Sequence, residues 1–188
     1  MKELSLSILD IAQNSIAARA DLIEIIIVEN SDDLSIRIID NGCGMDEEML
    51  ADATSPFSTT RKTRKVGLGL PLFKMQAEQT GGWMKVSSVS EKMSQDHGTT
   101  VEAVFCKNSI DFTPLGNIAD TVCTLVMSSD QTPNDYALLF RHIFHKGEIS
   151  LDTRELKKAL GDDVALSCPE IITWIREYLT EMYIVDNN

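Results

Sequence analysis

Asp10 and Asn14, four residues apart near the start of the chain, are the first pair in the sequence with chemical potential. On a helix this spacing projects both side chains from one face, about a turn apart. An Asn carbonyl is a hard oxygen ligand suited to Mg²⁺, an ion that keeps several waters and takes other ligands from phosphates. A carboxylate one turn earlier can accept a proton from a water or hydroxyl aimed at a terminal phosphate. Taken alone, the pair would equally mark the solvent side of an apolar helix. Asp40-Asn41-Gly42-Cys43-Gly44-Met45 comes next and follows an isoleucine-rich run. Asp, Asn and Gly form turns cheaply. An acceptor-only Asp at a strand exit can also take the amino hydrogen of adenine, with two glycines letting the backbone approach a flat base.

A third segment, residues 56–70, reads PFSTTRKTRKVGLGL. Arg61, Lys62, Arg64 and Lys65 crowd four positive charges into five positions, just after Thr60 and just before Gly67-Leu68-Gly69-Leu70. An isolated basic run is usually a solvated loop. A glycine turn feeding a helix, however, offers unpaired backbone N–H groups to an anion, and a cationic loop beside it suits the same ligand. The spacing is not the P-loop pattern, and there is no strand–turn–helix G-x-G-x-x-G fingerprint. Gly98-Thr99-Thr100 opens a later strand and would pass as an ordinary turn by itself. The fixed order of the four segments says more than any one of them: together they supply what a nucleoside triphosphate needs.

Composition narrows the classes. With 188 residues, 43% of them hydrophobic, the chain can build one large domain or two modest ones. A formal net charge of −12 argues against a nucleic-acid partner. The four cysteines (Cys43, Cys106, Cys123, Cys168) are scattered without a C-x-x-C pair, which suits a reducing compartment and neither disulfides nor zinc. No apolar run has membrane-spanning length, and MKELSLSILD lacks a signal-peptide pattern. A cytoplasmic location without membrane association is expected.

The elements that must position these residues follow from periodicity. Glu3 to Arg19 reads as a helix with Leu4, Ile8, Ile11 and Ser15 on one stripe. Asp21 to Asn30 and Leu34 to Asp40 read as strands joined in a hairpin. Met45 to Ala51 is a short acidic-headed helix, Asp52 to Val66 a loop, and Leu70 to Thr80 a helix ended by Gly81-Gly82. Trp83 to Val89 and Thr99 to Cys106 are half-buried strands. Beyond Lys107 the character changes: a helix from Pro114 to Met127, and a hairpin of Tyr136 to His145 with Glu148 to Leu151. A helix capped by Asp152 or Thr153 then runs to Leu160, and a last amphipathic helix starts at Pro169. We divide the chain into residues 1–107, which carry the motifs, and 108–188, a small α/β region expected to pack on the first. The second part carries −7 of the charge and the first −5, so the acidic tail reads as a partner-docking module or as a solvated stabilising layer, with docking the favoured reading. His142 and His145, three apart on an expected strand, should face opposite ways, and with His97 they read as structural or surface residues.

These motifs resemble those of the GHKL superfamily of ATP-binding domains, shared by gyrase, heat-shock-protein-90 chaperones, sensor histidine kinases, mismatch-repair ATPases and anti-sigma-factor kinases. Asp10 to Asn14 is similar to the family's N box, and Asp40 to Gly44 to its first glycine box. Gly67 to Gly69 is similar to the second box, Gly98-Thr99 to the third, and the basic segment to a histidine-kinase lid. The resemblance covers about residues 1–106. It implies an α+β protein of Bergerat fold: a two-layer α/β sandwich with a mixed, mostly antiparallel sheet and helices on one face. It further implies that ATP and Mg²⁺ bind, with Asn14 on the metal and Asp40 on adenine, supported by Thr99. Gly42, Gly44 and Met45 would shape the base pocket. Leu68 and Leu70 would lie with Gly67 and Gly69 along the phosphates, and Thr60, Arg61, Lys62, Arg64 and Lys65 in the lid.

Two departures shape the expected activity. The usual general base, four positions before the Asn, is Glu in the gyrase-like, mismatch-repair and anti-sigma branches. Here it is Asp10, one methylene shorter. A sensor kinase also carries its phosphoacceptor His on a helical hairpin ahead of the N box, whereas here the N box lies in the first helix. The leading expectation is a regulatory protein kinase acting in trans on a separate protein, nearest the anti-sigma-factor kinases, with Asp10 as base. The alternatives are an ATPase with water as acceptor and a non-enzymatic ATP/ADP-dependent binding switch. The oligomeric state is left open.

Overall fold

The structure, a computed structural model, describes residues 3–55, 68–130, 135–161 and 164–186. The order of elements is α1 (Leu4–Ala17), β1 (Leu22–Glu29), β2 (Asp33–Asp40), α2 (Glu47–Thr54), α3 (Gly69–Gln79), β3 (Trp83–Val89) and β4 (Gly98–Cys106). There follow α4 (Ile118–Ser129), β5 (Ala137–Ile143), β6 (Glu148–Asp152), α5 (Thr153–Leu160) and α6 (Pro169–Asp186). The six strands form one sheet in the order β3-β4-β2-β1-β5-β6. All neighbours are antiparallel except β1 and β5, which run parallel from Leu22↔Ala137 to Val28↔Ile143. The expected mixed, mostly antiparallel sheet is therefore present, and the region past Lys107 supplies two of its strands.

Strand alternation sets the two faces. Ile23, Ile25 and Ile27 of β1, Leu34, Ile36 and Ile38 of β2, and Val101, Ala103 and Phe105 of β4 are all buried on one side. Leu138, Phe140, Ile149 and Leu151 continue that layer across β5 and β6. Helices α1, α3, α4 and α6 pack over this face and against one another. Burying a Leu, Ile or Phe side chain contributes about 1.5–3 kcal/mol, so this layer dominates the stability of the fold. The expected stripe of α1 is realised: Leu4, Ile8, Ile11 and Ser15 are all buried. Asp10 and Asn14 remain exposed. Among the described residues no helix is long and apolar enough to cross a membrane.

Two expectations about the C-terminal region are corrected. The helix assigned from Pro114 begins only at Ile118. The Pro114 and Leu115 carbonyls instead accept the Leu4 and Ser5 N–H groups at 3.0 and 2.8 Å, capping α1 from more than a hundred residues away. Asn117 then caps α4 by accepting the Asp120 N–H at 3.1 Å. The strand carrying His142 ends at Ile143, so His145 lies beyond it rather than on its other face. His142 is buried, with Nδ1 2.8 Å from the Tyr183 hydroxyl and Nε2 3.5 Å from a Glu29 carboxylate oxygen. It ties α6 to β5 and β1, and burial pushes the Tyr183 hydroxyl well above its usual range.

The exit from α1 is strained at one residue. Arg19 donates to the Ile16 carbonyl and Ala20 to the Ser15 carbonyl, the paired bonds of a Schellman ending. That ending places Arg19 at φ 60°, the one non-glycine residue at positive φ among those described. Arg19→Gly should therefore stabilise the protein by about 0.5–1 kcal/mol, raising Tm by roughly 1–4 °C. An unchanged or lowered midpoint in thermal melts would show that the arginine side chain compensates its own strain.

Candidate nucleotide site

Helix α1 is the wall to which the other motif segments attach. Its Ser15, buried one position past Asn14, donates to Asp40 Oδ2 at 2.7 Å. Asp40 stands half-buried at the end of β2, where Oδ1 accepts the N–H of Gly42 at 2.9 Å and of Thr99 at 3.3 Å. Those three donors come from three segments far apart in sequence. A carboxylate has about four lone-pair sites, so one acceptor site on Oδ2 remains for a ligand. An exocyclic amine, which donates, would find its acceptor there.

At the other end of the site, Asp10 faces the start of α3. A methyl group built on Gly69 would lie 3.3 Å from Asp10 Oδ2 and 3.5 Å from its Cβ, so the carboxylate closes directly on that glycine. Helix α3 begins at Gly69 without a side-chain cap, and its third residue, Pro71, has no N–H. The Gly69 and Leu70 amides are the first-turn donors left to meet an anion. Both residues are buried while Leu68 is exposed. The Asp10 and Asn14 side chains have no hydrogen-bond partner among the described residues.

Gly42 and Gly44 are buried and Met45 is half-buried, together forming the turn beneath Asp40. Gly44 has φ 64°, and a methyl there would sit 1.9 Å from the Val89 carbonyl oxygen, so only glycine fits. Ser88 on β3 joins the first and third glycine segments. Its Oγ accepts the Met45 N–H at 2.8 Å, donates to the Gly98 carbonyl at 3.0 Å and lies 2.9 Å from Thr99 Oγ1. The sequence reading missed Ser15 as a partner of Asp40, and missed Ser88 altogether. The available signal was a hydroxyl on a strand position whose same-face neighbours, Met84 and Val86, are apolar. The structure thus brings together Asp10, Asn14, Asp40, Gly42, Gly44, Met45, Leu68, Gly69, Leu70 and Thr99. Thr60, Arg61, Lys62, Arg64, Lys65 and Gly67 lie outside the described residues.

A helix bearing a carboxylate and an amide, an Asp held at a strand exit, and an uncapped glycine-led helix thus make up the described part of the candidate site. Residues 2–123 match the family described as histidine kinase-, DNA gyrase B-, and HSP90-like ATPase, and the chain belongs to that family. It is a GHKL-type ATP-binding domain with the Bergerat fold. Among solved structures it is similar to one described as the N-terminal domain of a DNA repair protein. The TM-score is 0.52 and the identity 16%, over 81% of this chain and 52% of the other. The chain thus spans about half the length of that structure. It is also similar to the Aquifex aeolicus MutL ATPase domain complexed with ADP, with TM-score 0.49 and 14% identity, covering 85% of this chain and 68% of the other. The likeness to the first of these is one of fold. No curated protein matches the chain.

Proposed function

We propose that the chain binds Mg-ATP in this site and transfers the terminal phosphoryl group to a hydroxyl on a separate protein. The observation that carries this is the double engagement of α1, whose Ser15 holds Asp40 while its Asp10 faces the first residue of α3. The same helix therefore serves the base-reading group and the group able to take a proton. The residues fit both cofactors. Asp40 retains an acceptor site for the adenine amine, and Asn14 presents an exposed carboxamide to a cation.

Bound ATP supplies the transferable phosphoryl, and Mg²⁺ neutralises its charge. Asn14 would hold the metal, while the Gly69 and Leu70 amides would meet phosphate oxygens. Asp10 would take the acceptor hydroxyl's proton as the new O–P bond forms and the β–γ bridging bond breaks. An acceptor arriving from outside suits an Asp10 that is open to solvent. Of the chain's three histidines, His97 is engaged by Gly42 and His142 is buried. The acidic region 108–188 is the surface we assign to docking the partner protein.

The test is transfer of label from γ-labelled ATP to a protein in native lysate. Asp10→Asn should slow labelling by about 10²–10⁴-fold, the usual worth of a general base, while leaving ADP affinity within about threefold. Asn14→Ala should abolish the labelled band. Phosphate release that is the same with and without lysate, with no labelled protein, would reassign the acceptor to water.

A further inference from the structure

The end of β3 and the β3–β4 connection grip the turn beneath the base reader at three points. Ser88 Oγ accepts the Met45 N–H at 2.8 Å, and the Glu91 N–H donates to the Cys43 carbonyl at 2.9 Å. His97 Nδ1 lies 2.5 Å from the Gly42 carbonyl oxygen. A carbonyl only accepts, so the proton at this contact resides on His97 Nδ1. The other end of Gly42, its N–H, donates to Asp40 Oδ1. His97 also immediately precedes Gly98-Thr99, the segment whose Thr99 N–H is the other donor to that oxygen.

We propose that His97 is a positioning residue for adenine recognition. It acts through Gly42 and Asp40 without touching the nucleotide. Gly42 lacks a side chain, so hydrogen bonds orient its peptide groups, and the next peptide's N–H, on Cys43, already donates to the Ala18 carbonyl at 2.8 Å. The imidazole holds the other end of that peptide, its carbonyl, and so helps keep the Gly42 N–H aimed at Asp40 Oδ1. Residues 91–96 ahead of His97 are all exposed, so the connection holds the turn through these hydrogen bonds rather than through burial of its own side chains. A carboxylate held by fixed donors is already aimed when the ligand arrives, and losing one of them spends binding energy on re-aiming it.

This inference rests on reading Asp40 as the adenine acceptor, and one titration series separates the two. Calorimetry with ADP and with inosine diphosphate, which carries an oxo group in place of the 6-amine, first establishes the native preference. His97→Ala should then raise the Kd for ADP about tenfold while moving that for inosine diphosphate less than about threefold. His97→Asn, whose amide Nδ2 can take the place of Nδ1, should restore most of the preference. A merely structural histidine would weaken both nucleotides alike, and that result, or unchanged ADP binding in His97→Ala, overturns the proposal. Thermal melts of each variant identify one that has lost its fold, in which case His97→Asn alone decides. A native protein that binds no adenine nucleotide removes the Asp40 reading, and the role of His97 with it.

Discussion

Asp40→Asn should cost at least about a hundredfold in adenine-nucleotide affinity without unfolding the protein. The expected orientation of the new amide follows from its surroundings. Oδ1 receives two backbone N–H groups, from Gly42 and Thr99, so an NH₂ group there would set donor against donor. The amide nitrogen must take the Oδ2 position, facing Ser15, whose hydroxyl can turn to accept. The fold therefore keeps its hydrogen bonds while the ligand-facing atom changes from acceptor to donor. That donor opposes the adenine amine and suits a 6-oxo purine. Sites built to hydrogen-bond a particular substrate group discriminate by about 10⁴–10⁵ when the pairing fails. Calorimetry with ADP and inosine diphosphate should show the preference reversed. Equal loss for both, or none, would mean that Asp40 shapes the turn but does not read the base.

Gly98→Ala should destabilise the protein by about 3–4 kcal/mol, or roughly 6–16 °C in Tm. Gly98 has φ 137°, a region that L residues rarely adopt, and the added methyl would fall 2.0 Å from the Asp40 carbonyl oxygen and 2.9 Å from the Asn41 Cα. Neither neighbour can easily retreat, since Asp40 pairs with Thr99 in the β2–β4 ladder. Any relief must shift the carboxylate, so nucleotide binding should fail before the protein melts. Gly147→Ala is the control, because a methyl there meets nothing within 4 Å. Its midpoint should move by less than about 0.5 kcal/mol. A Gly98→Ala protein that melts like the control would show that the strand end moves aside freely.

Local pattern carried much of this architecture. The alternating isoleucines of β1 and β2 and the stripe of α1 are legible because each buries one face at the period of its own element, and Trp83–Val89 because it alternates exposed and half-buried positions. What stayed hidden depends on distant partners. Pro114 and Leu115 read as helix because nothing nearby shows that their carbonyls serve the first turn of α1. The parallel pairing of β1 with β5 has no signature in either strand. The same holds inside the site: Asp10, Asn14 and Asp40 stand out by type and spacing. Ser15, Ser88 and His97 become visible only when the chain brings a hydroxyl or an imidazole to a group 25, 43 or 55 residues away.

The seven-residue seam between β1 and β5 has a consequence for how the motif-bearing half can exist. With that seam closed, β1 is an interior strand, and the Asp21 and Leu22 N–H groups at its start donate to Asn41 Oδ1 at 3.1 and 3.0 Å. Trimming the protein to its family-like stretch would open a long apolar margin with its backbone donors and acceptors bare, the kind of border that recruits foreign strands. Here the motif-bearing half and the tail share one sheet, so the tail cannot be removed without unsealing β1.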